Sequence, residues 1–281
     1  MELMRRFDPQ DYDVDEVVAE LIDGRGAVVF PGLVSAEDVA EARRIIMKES
    51  QDAPKVAHFQ GAAEVEGTFH LQRRVWALLA KGDVFSRIAE NEVFCNVMRA
   101  FLGTEFIMGS IAANRIMPGG PGQEPHIDYP YWDYHKPESF PARINPSFPL
   151  NAQATIPLDP FTVESGATAY LPGSQKTLRY PTLEDDFYDR CEQMIGDPGD
   201  GIIFYGAAWH CSMPNKSDFD RSGILLEYLP KFVKPVEDMH ASLDEAFYDN
   251  MSPMMRQLLG FDYDYPQDLE AAEAVNAEGA S

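Results

Sequence analysis

The feature that most constrains the fold is a change in sequence pattern at Glu105. Beyond it, short runs typical of β-strands alternate with loops rich in proline and glycine. Most of these runs are not separated by a helix long enough for a parallel crossover, which disfavours a parallel α/β sheet. We therefore expect a mainly β fold with flanking helices, as an antiparallel barrel or jelly roll. The predicted strands cover 106–117, 151–158, 167–171, 201–205 and 223–229.

Helical patterns predominate before that point. Apolar residues at helical spacing predict a helix over 14–22, and a short apolar run predicts a buried strand over 27–30. Ser35 followed by Asp38 is a variant of the capping box and predicts the start of a second helix. A further helical pattern covers 84–102. Two long loops, 118–149 and 178–198, have the composition of binding loops or lids.

The charge balance narrows the classes of partner. Twenty-three basic against 46 acidic residues give a net charge of −23, and such a surface repels phosphate backbones and anionic headgroups. We therefore expect no nucleic-acid and no membrane partner. Three scattered cysteines (Cys95, Cys191 and Cys211) are too few for a disulfide framework.

The length and the ends of the chain suggest how it is organised. No apolar run approaches the ~18 residues that a membrane-spanning helix needs, and the first residues lack the apolar stretch of a secretory signal. The expectation is a cytoplasmic protein with a single domain over residues 1–267. The small and acidic residues of 268–281 predict a disordered tail.

The first candidate metal ligands are His126 and Asp128. Alternate residues of an extended strand point to one face, so this imidazole and carboxylate can converge on one ion. Alone the pattern carries no weight, because six histidines and 46 acidic residues in 281 positions give roughly one such pair by chance. His210, at the end of a predicted strand, is the third candidate. Two imidazoles and one carboxylate are the facial triad of non-haem Fe(II) oxygenases.

Arg221 opens the strand that follows His210. A turn-rich connection between the two strands returns Arg221 to the neighbourhood of His210. A guanidinium beside such a metal site can hold a dicarboxylate co-substrate through a two-pronged salt bridge. Three ligands and an anion clamp in this order favour an oxygenase.

At this point the chain resembles the phytanoyl-CoA dioxygenase family of Fe(II)- and 2-oxoglutarate-dependent oxygenases. The resemblance covers about 14–260 and rests on six short segments in family order. These are Gly26-Ala-Val-Val-Phe-Pro-Gly-Leu-Val-Ser35, Gln123-Glu-Pro-His-Ile-Asp-Tyr-Pro-Tyr-Trp132, Ile156-Pro-Leu-Asp159, Glu164-Ser-Gly-Ala-Thr-Ala-Tyr-Leu-Pro-Gly-Ser174, Gly199-Asp-Gly-Ile-Ile-Phe204 and His210-Cys-Ser-Met-Pro-Asn-Lys-Ser-Asp-Phe-Asp-Arg221.

The resemblance implies a double-stranded β-helix, the jelly-roll or cupin-like core, with flanking helices. It implies Fe(II) bound by His126, Asp128 and His210. It also implies that Arg221, assisted by the Ser212 hydroxyl, holds the distal carboxylate of 2-oxoglutarate, with O2 as the second co-substrate. One departure is Gln175, where many members carry histidine; this position is not an iron ligand.

Other residues are weaker candidates for the site. Asn114 and Thr155 lie on strands expected to face the barrel interior, and the family often has a co-substrate-contacting polar residue near His70. Each has an ordinary reading as a buried or surface hydrogen-bonding group. Four residues in and after the first metal motif are predicted to contact the substrate: Gln123, Tyr129, Tyr131 and Trp132. The alternative for the aromatic ones is simple packing at the barrel opening.

The reaction type follows from Asp128. Halogenating relatives in the family carry glycine or alanine at that position, so its carboxylate favours hydroxylation, or another C–H oxidation such as desaturation or ring formation, with release of succinate and CO2. Two alternatives stay open. The first is a cupin-like isomerase or lyase that uses the same metal without redox chemistry, and the second is a non-catalytic binding protein.

The long loops carry no dense basic cluster. Lys136 and Arg143 stand alone among acidic and aromatic residues, whereas a coenzyme A thioester brings several phosphates that basic residues must meet. The substrate predicted from the sequence is therefore a small metabolite or natural-product intermediate.

Overall fold

The computed structural model describes residues 4–51, 68–128, 148–177, 179–182 and 184–262. Ten strands lie in this part of the chain. They are β1 (Arg5–Arg6), β2 (Ala27–Phe30), β3 (Gln72–Val75), β4 (Ile107–Ile116), β5 (Ala152–Pro157), β6 (Ala169–Tyr170), β7 (Glu192–Gln193), β8 (Gly201–Tyr205), β9 (His210–Cys211) and β10 (Arg221–Leu229).

Seven α-helices accompany these strands in the described ranges. They are α1 (Val14–Ile22), α2 (Ala36–Glu49), α3 (Asp83–Ala89), α4 (Glu92–Leu102), α5 (Phe187–Arg190), α6 (Glu245–Asp249) and α7 (Pro253–Leu258). The predicted N-cap of α2 is confirmed, since the Ser35 hydroxyl accepts a hydrogen bond from the Asp38 N–H at 3.1 Å.

The strands form two facing sheets, and this confirms the predicted jelly roll. The major sheet has the order β1-β2-β8-β5-β10-β4-β3, in which all pairs except β1 with β2 are antiparallel. The minor sheet has the order β7-β6-β9. The segment 123–128 adds to it beside β9, through backbone hydrogen bonds from Gln123 to Ser212 and between His126 and His210.

Alternation along β10 explains where the core and the cavity lie. One set of alternate side chains, Ile224, Leu226 and Tyr228, packs in the large apolar cluster with α4. The other set, with Arg221 and Glu227 at its two ends, faces the space between the sheets. Helices cover one face of the major sheet, and the opposite face is free to line a site.

The structure differs in detail from the sequence expectations. The predicted helix over 84–102 is two helices, because Asn91 accepts a hydrogen bond from the Val93 N–H and caps α4 after α3 has ended. Arg73 and Arg74, which no predicted helix or strand covered, both lie on β3, and Arg74 is buried. The loop predicted over 178–198 also contains α5 and β7.

No helix in the described ranges is both long and apolar enough to span a bilayer. The single-domain boundary at 267 and the disordered tail over 268–281 stay predictions, because residues 263–281 lie outside the described part.

Candidate metal and co-substrate site

Three side chains able to bind a metal meet on the minor sheet. His126 and Asp128 lie two residues apart on the segment that pairs with β9, and His210 begins β9. Extended backbone therefore turns the first two side chains to one face, beside the third. One donor atom from each residue lies within 4.8 Å of the others. Among the described residues, this is the only group of at least three His, Cys, Asp or Glu side chains with such spacing.

Backbone hydrogen bonds orient both imidazoles. His126 Nδ1 lies 2.7 Å from the Glu124 carbonyl oxygen, and His210 Nδ1 lies 2.9 Å from the Ala208 carbonyl oxygen. A carbonyl oxygen only accepts, so Nδ1 carries the proton and a neutral ring keeps its lone pair on Nε2. The two Nε2 atoms lie 3.6 Å and 3.2 Å from the oxygens of Asp128. The lone pairs of the two Nε2 atoms and of the Asp128 carboxylate therefore converge on one point, and a cation bound there stabilises this arrangement.

Burial and mutual contact set the charges of the three groups. Burial, reinforced by His210, lowers the pKa of His126 to about 4. Burial alone would lower the pKa of His210, but the Asp128 carboxylate reverses this and raises it above the ordinary value. Burial likewise opposes ionisation of Asp128, yet His210, with smaller contributions from His126 and Arg74, keeps its pKa below the ordinary value. The carboxylate is therefore ionised and His126 is neutral, as metal binding requires.

Asn151 positions the backbone of Asp128. Its Nδ2 donates a hydrogen bond of 2.9 Å to the Asp128 carbonyl oxygen, while the Asp128 N–H donates to the Gly206 carbonyl oxygen at 2.9 Å. Gly206 leaves the space that this arrangement needs, because a Cβ there would lie only 2.3 Å from Asn151 Oδ1. Asn151 is itself fully buried at the start of β5. It is a positioning residue for the carboxylate.

Asn151→Ala is expected to weaken divalent-metal binding by about 10- to 100-fold, because losing the support of a ligand typically costs that much. An anaerobic titration of the folded variant with Fe(II) measures this. Asn91→Ala is the matched control, since it removes another asparagine hydrogen bond, the α4 cap, away from the three donors. Equal metal affinity in the Asn151 variant and the wild type would contradict the positioning role.

Arg221 places a positive charge inside the barrel. The residue is 4% exposed, and its Nη2 donates a hydrogen bond to Ser212 Oγ. Its Nε is buried without a hydrogen-bond partner, and no carboxylate of the described residues forms an ion pair with it. Burial lowers the pKa of the guanidinium to about 10, so it stays charged at neutral pH. A buried cation of this kind fits an anionic ligand.

One cavity of about 210 Å³ connects the three donors with Arg221. The major sheet contributes Asn114, Thr155 and the inward side chains of β10, and the minor sheet contributes the donors and Ser212. Trp76 and Val236 also line it while 38% and 45% exposed, so they mark the side where it opens to solvent.

Most of the predicted site residues that are described lie together. Ser212, Thr155, Asn114 and Gln123 line the cavity, and Gln123 Oε1 also accepts a hydrogen bond of 3.1 Å from the Ser212 N–H. His70 does not line this cavity; it lies exposed on a short 3₁₀ turn. The predicted substrate contacts Tyr129, Tyr131 and Trp132 lie outside the described residues.

Sequence reasoning missed several cavity residues, namely Arg74, Gln153, Phe161, Thr168 and Glu227. Arg74 and Gln153 lie at alternate positions of strands, so the period of two was an available signal once the inward face was known. Phe161 lies outside the main strands, and no local pattern identified it.

The unexpected Gln175 has a structural role. Its Nε2 donates hydrogen bonds to the carbonyl oxygens of Ile22 and Gly24, at 3.2 Å and 3.1 Å, which satisfies backbone groups at the end of α1. It does not line the cavity.

Curated relatives of the chain are fungal dioxygenases. Dioxygenase af480 of Aspergillus fumigatus is 25% identical over 62% of this chain and 53% of that protein. Dioxygenase andF of Emericella variicolor is 30% identical over 51% and 48%, and dioxygenase cdmA of Talaromyces verruculosus is 25% identical over 88% and 83%. The alignments with af480 and andF thus span only about half of those proteins.

Solved structures with the same fold include a protein with 2-oxoglutarate bound and an epimerase that depends on alpha-ketoglutarate. HygX from Streptomyces hygroscopicus, with nickel and 2-oxoglutarate bound, aligns at 17% identity with a TM-score of 0.59, over 81% of this chain and 91% of that one. The non-heme alpha-ketoglutarate-dependent epimerase SnoN from nogalamycin biosynthesis aligns at 18% identity with a TM-score of 0.55, over 78% and 83%. At this identity the likeness concerns the fold.

The family model for phytanoyl-CoA dioxygenase (PhyH) matches residues 22–223. This range is well over half of the chain, and it contains the three donors, Ser212 and Arg221. The chain belongs to the phytanoyl-CoA dioxygenase (PhyH) family.

Proposed function

We propose that the protein is an Fe(II)- and 2-oxoglutarate-dependent oxygenase that hydroxylates a C–H bond of a small molecule. The observation that carries this proposal is that the metal-donor cluster and the Arg221 guanidinium line the same cavity. A three-donor cluster and a buried guanidinium without a described carboxylate partner both face it. The family and the dioxygenase relatives support the same activity.

The donor set fits Fe(II). His126, Asp128 and His210 would hold the ion through two imidazole nitrogens and one carboxylate, a donor set suited to a non-haem Fe(II) oxygenase. The Fe(II) ion, when bound, supplies the redox chemistry that couples oxidative decarboxylation of 2-oxoglutarate, with release of succinate and CO2, to substrate oxidation. Asp128 takes the position that halogenating relatives leave to a halide, which supports hydroxylation.

The protein's own residues bind and orient the co-substrate. In this proposal His126, Asp128 and His210 hold the metal. Arg221 and the Ser212 hydroxyl hold the distal carboxylate of 2-oxoglutarate, because a charge-assisted hydrogen bond in a buried site is strong and directional. The donors that such a clamp needs already line the cavity.

Asn114, Thr155 and Gln123 extend this polar lining and are proposed to contact the ligands in the cavity. His70 is left out of the proposed site, because it is exposed and away from the cavity lining.

The cavity lining supports a substrate without phosphates. Where the cavity opens, its half-exposed lining residues are the apolar Trp76 and Val236, and Glu227 adds a carboxylate to the wall. The only basic residues of the described lining are Arg74 and Arg221. We propose a small metabolite or natural-product intermediate rather than a coenzyme A ester, in keeping with the net charge of −23.

An anaerobic titration tests the proposal. Protein loaded with one equivalent of Fe(II) is titrated with 2-oxoglutarate, and the visible absorption of the metal–keto acid chelate is followed. We expect saturable binding at one equivalent and, after admission of air, succinate release that depends on both Fe(II) and 2-oxoglutarate. Metal binding without any response to 2-oxoglutarate would indicate non-redox chemistry, and absence of stoichiometric metal binding would indicate a binding protein.

Product analysis tests the reaction type. With a substrate found by succinate release, hydroxylation adds 16 mass units, the mass of one oxygen atom taken from O2. A product of unchanged mass would indicate epimerisation, and a loss of two hydrogens would indicate desaturation or ring closure.

A further inference from the structure

The residue beneath the Arg221 guanidinium is an aromatic ring. Arg221 Cζ lies 5.0 Å from the ring centre of Phe161, within the range of a cation–π contact. Phe161 is 3% exposed and lines the same cavity. Reciprocal backbone hydrogen bonds with Gly196, of 2.9 Å and 3.1 Å, hold its backbone in place.

A glycine on β10 makes room for this ring. Gly223 lies two residues from Arg221 and therefore on the same face of the strand. A Cβ at Gly223 would lie 2.9 Å from Phe161 Cζ and 3.4 Å from Cε1, so the ring fills the space that a side chain would take. Glycine weakens the interior of a strand, and its presence there is typical of a close approach by another group. Here that group is the Phe161 ring.

The ring and the Ser212 hydroxyl restrict the guanidinium in different directions. Ser212 Oγ accepts a hydrogen bond from Nη2 and thus holds one edge, while the Phe161 ring packs against Cζ. The Arg221 Nε is buried without a hydrogen-bond partner among the described residues, so this donor is available to a ligand. A fork that is fixed before the ligand arrives loses less side-chain entropy when it binds.

We propose that Phe161 is a positioning residue for the co-substrate clamp formed by Arg221 and Ser212. Its ring, which packs over Gly223, excludes water from the Arg221 guanidinium and orients it to bind the distal carboxylate of 2-oxoglutarate. This inference rests on the proposed function. It adds that the ring sets the depth of the cavity at this end, and thereby selects a five-carbon keto acid over a longer one.

The Phe161 ring stabilises the buried Arg221 guanidinium without neutralising its charge, which a carboxylate partner would do. An acidic partner would also stabilise the buried guanidinium, but it would neutralise the charge that attracts the ligand. The quadrupole of an aromatic ring stabilises the cation and leaves its charge available. Burial that lowers the pKa of Arg221 to about 10 is consistent with a cation without an ionic partner.

The test compares 2-oxoglutarate binding by variants of the Fe(II)-loaded protein, using the anaerobic titration. Phe161→Leu keeps apolar volume but removes the aromatic face, and it is expected to raise the Kd for 2-oxoglutarate about tenfold, or about 1.4 kcal/mol. Affinity for Fe(II) is expected to be unchanged.

A second variant acts from the other side of the contact. Gly223→Ala pushes the ring away from the strand and is expected to raise the Kd in the same direction as Phe161→Leu. Phe106→Leu is the matched control, because it makes the same substitution at a buried phenylalanine that does not line the cavity. Its Kd is expected to equal that of the wild type.

Selectivity provides a readout that a merely structural role would not change. The ratio of the Kd for 2-oxoadipate to the Kd for 2-oxoglutarate is expected to fall in Phe161→Leu and to stay unchanged in Phe106→Leu. An unchanged Kd and ratio in folded Phe161→Leu, or in Gly223→Ala if the first variant does not fold, would overturn the inference. Wild-type protein that fails to bind 2-oxoglutarate would instead refute the proposed function, and the inference with it.

Discussion

Replacing His126 with alanine is expected to lower Fe(II)-dependent succinate release by more than about a hundredfold. Loss of a group that merely supports a ligand already costs 10- to 100-fold in affinity or activity, and loss of a ligand costs more. Only two of the three donors would remain at the point where the lone pairs converge. Anaerobic Fe(II) titration and succinate release at controlled iron concentration measure the effect.

His240→Ala is the control for this variant. His240 is also engaged by hydrogen bonds, at 3.2 Å to the Tyr248 hydroxyl and 3.1 Å to the Leu259 carbonyl oxygen, but it does not line the cavity. We expect its iron affinity and turnover to match the wild type. Near-normal turnover of His126→Ala under the same conditions would exclude His126 as a ligand.

Arg221→Leu is expected to raise the KM for 2-oxoglutarate at least about 30-fold while Fe(II) affinity is retained. Truncating one partner of a buried charge pair costs about 2–5 kcal/mol, and here the other partner is the co-substrate carboxylate. Steady-state kinetics in 2-oxoglutarate, together with a metal titration, separate the two effects.

The stability of this variant is informative in its own right. Without ligand, the buried guanidinium has no carboxylate partner among the described residues, so its burial is unfavourable. Leucine at this position is therefore expected not to lower the Tm of the ligand-free protein. A KM for 2-oxoglutarate in Arg221→Leu equal to that of the wild type would contradict the role assigned to Arg221. The KM of Arg221→Lys is expected to lie between those of the wild type and Arg221→Leu.

Much of the site was predictable because it depends on local strand geometry. The spacing of His126 and Asp128 places both side chains on one face of an extended segment, and the short connection after His210 returns Arg221 to its neighbourhood. Both arguments need only the period of a strand and the reach of a turn. The cluster of donors lies where these arguments place it.

The cavity residues that the sequence did not reveal could be found only by knowing which face of each strand points into the barrel. Arg74 lies in the four-residue strand β3, where the polar residues Gln72, Arg73 and Arg74 obscure the alternation. A barrel that encloses a polar site reverses the usual rule, because a buried arginine is then expected on the inner face. The contact of Phe161 with Gly223 joins segments far apart in the chain, and no spacing argument reaches it.

A different failure affected the helix over 84–102. Its apolar periodicity continues across the break, while the local signal for a new helix start is a single residue, Asn91. The prediction followed the apolar periodicity and therefore missed the break between α3 and α4 that Asn91 marks. The register of the segment around His70 was likewise open, because no pattern tied it to a strand.

The division of the site between the two sheets has a mechanical consequence. All three metal donors belong to the minor sheet with its short strands, whereas Arg221 belongs to the long central strand β10 of the major one. An ion alone would therefore connect only neighbouring strands of one layer. In the proposed complex, a keto acid bound between the ion and the guanidinium would connect both layers and would resist their separation, which the ion by itself would not.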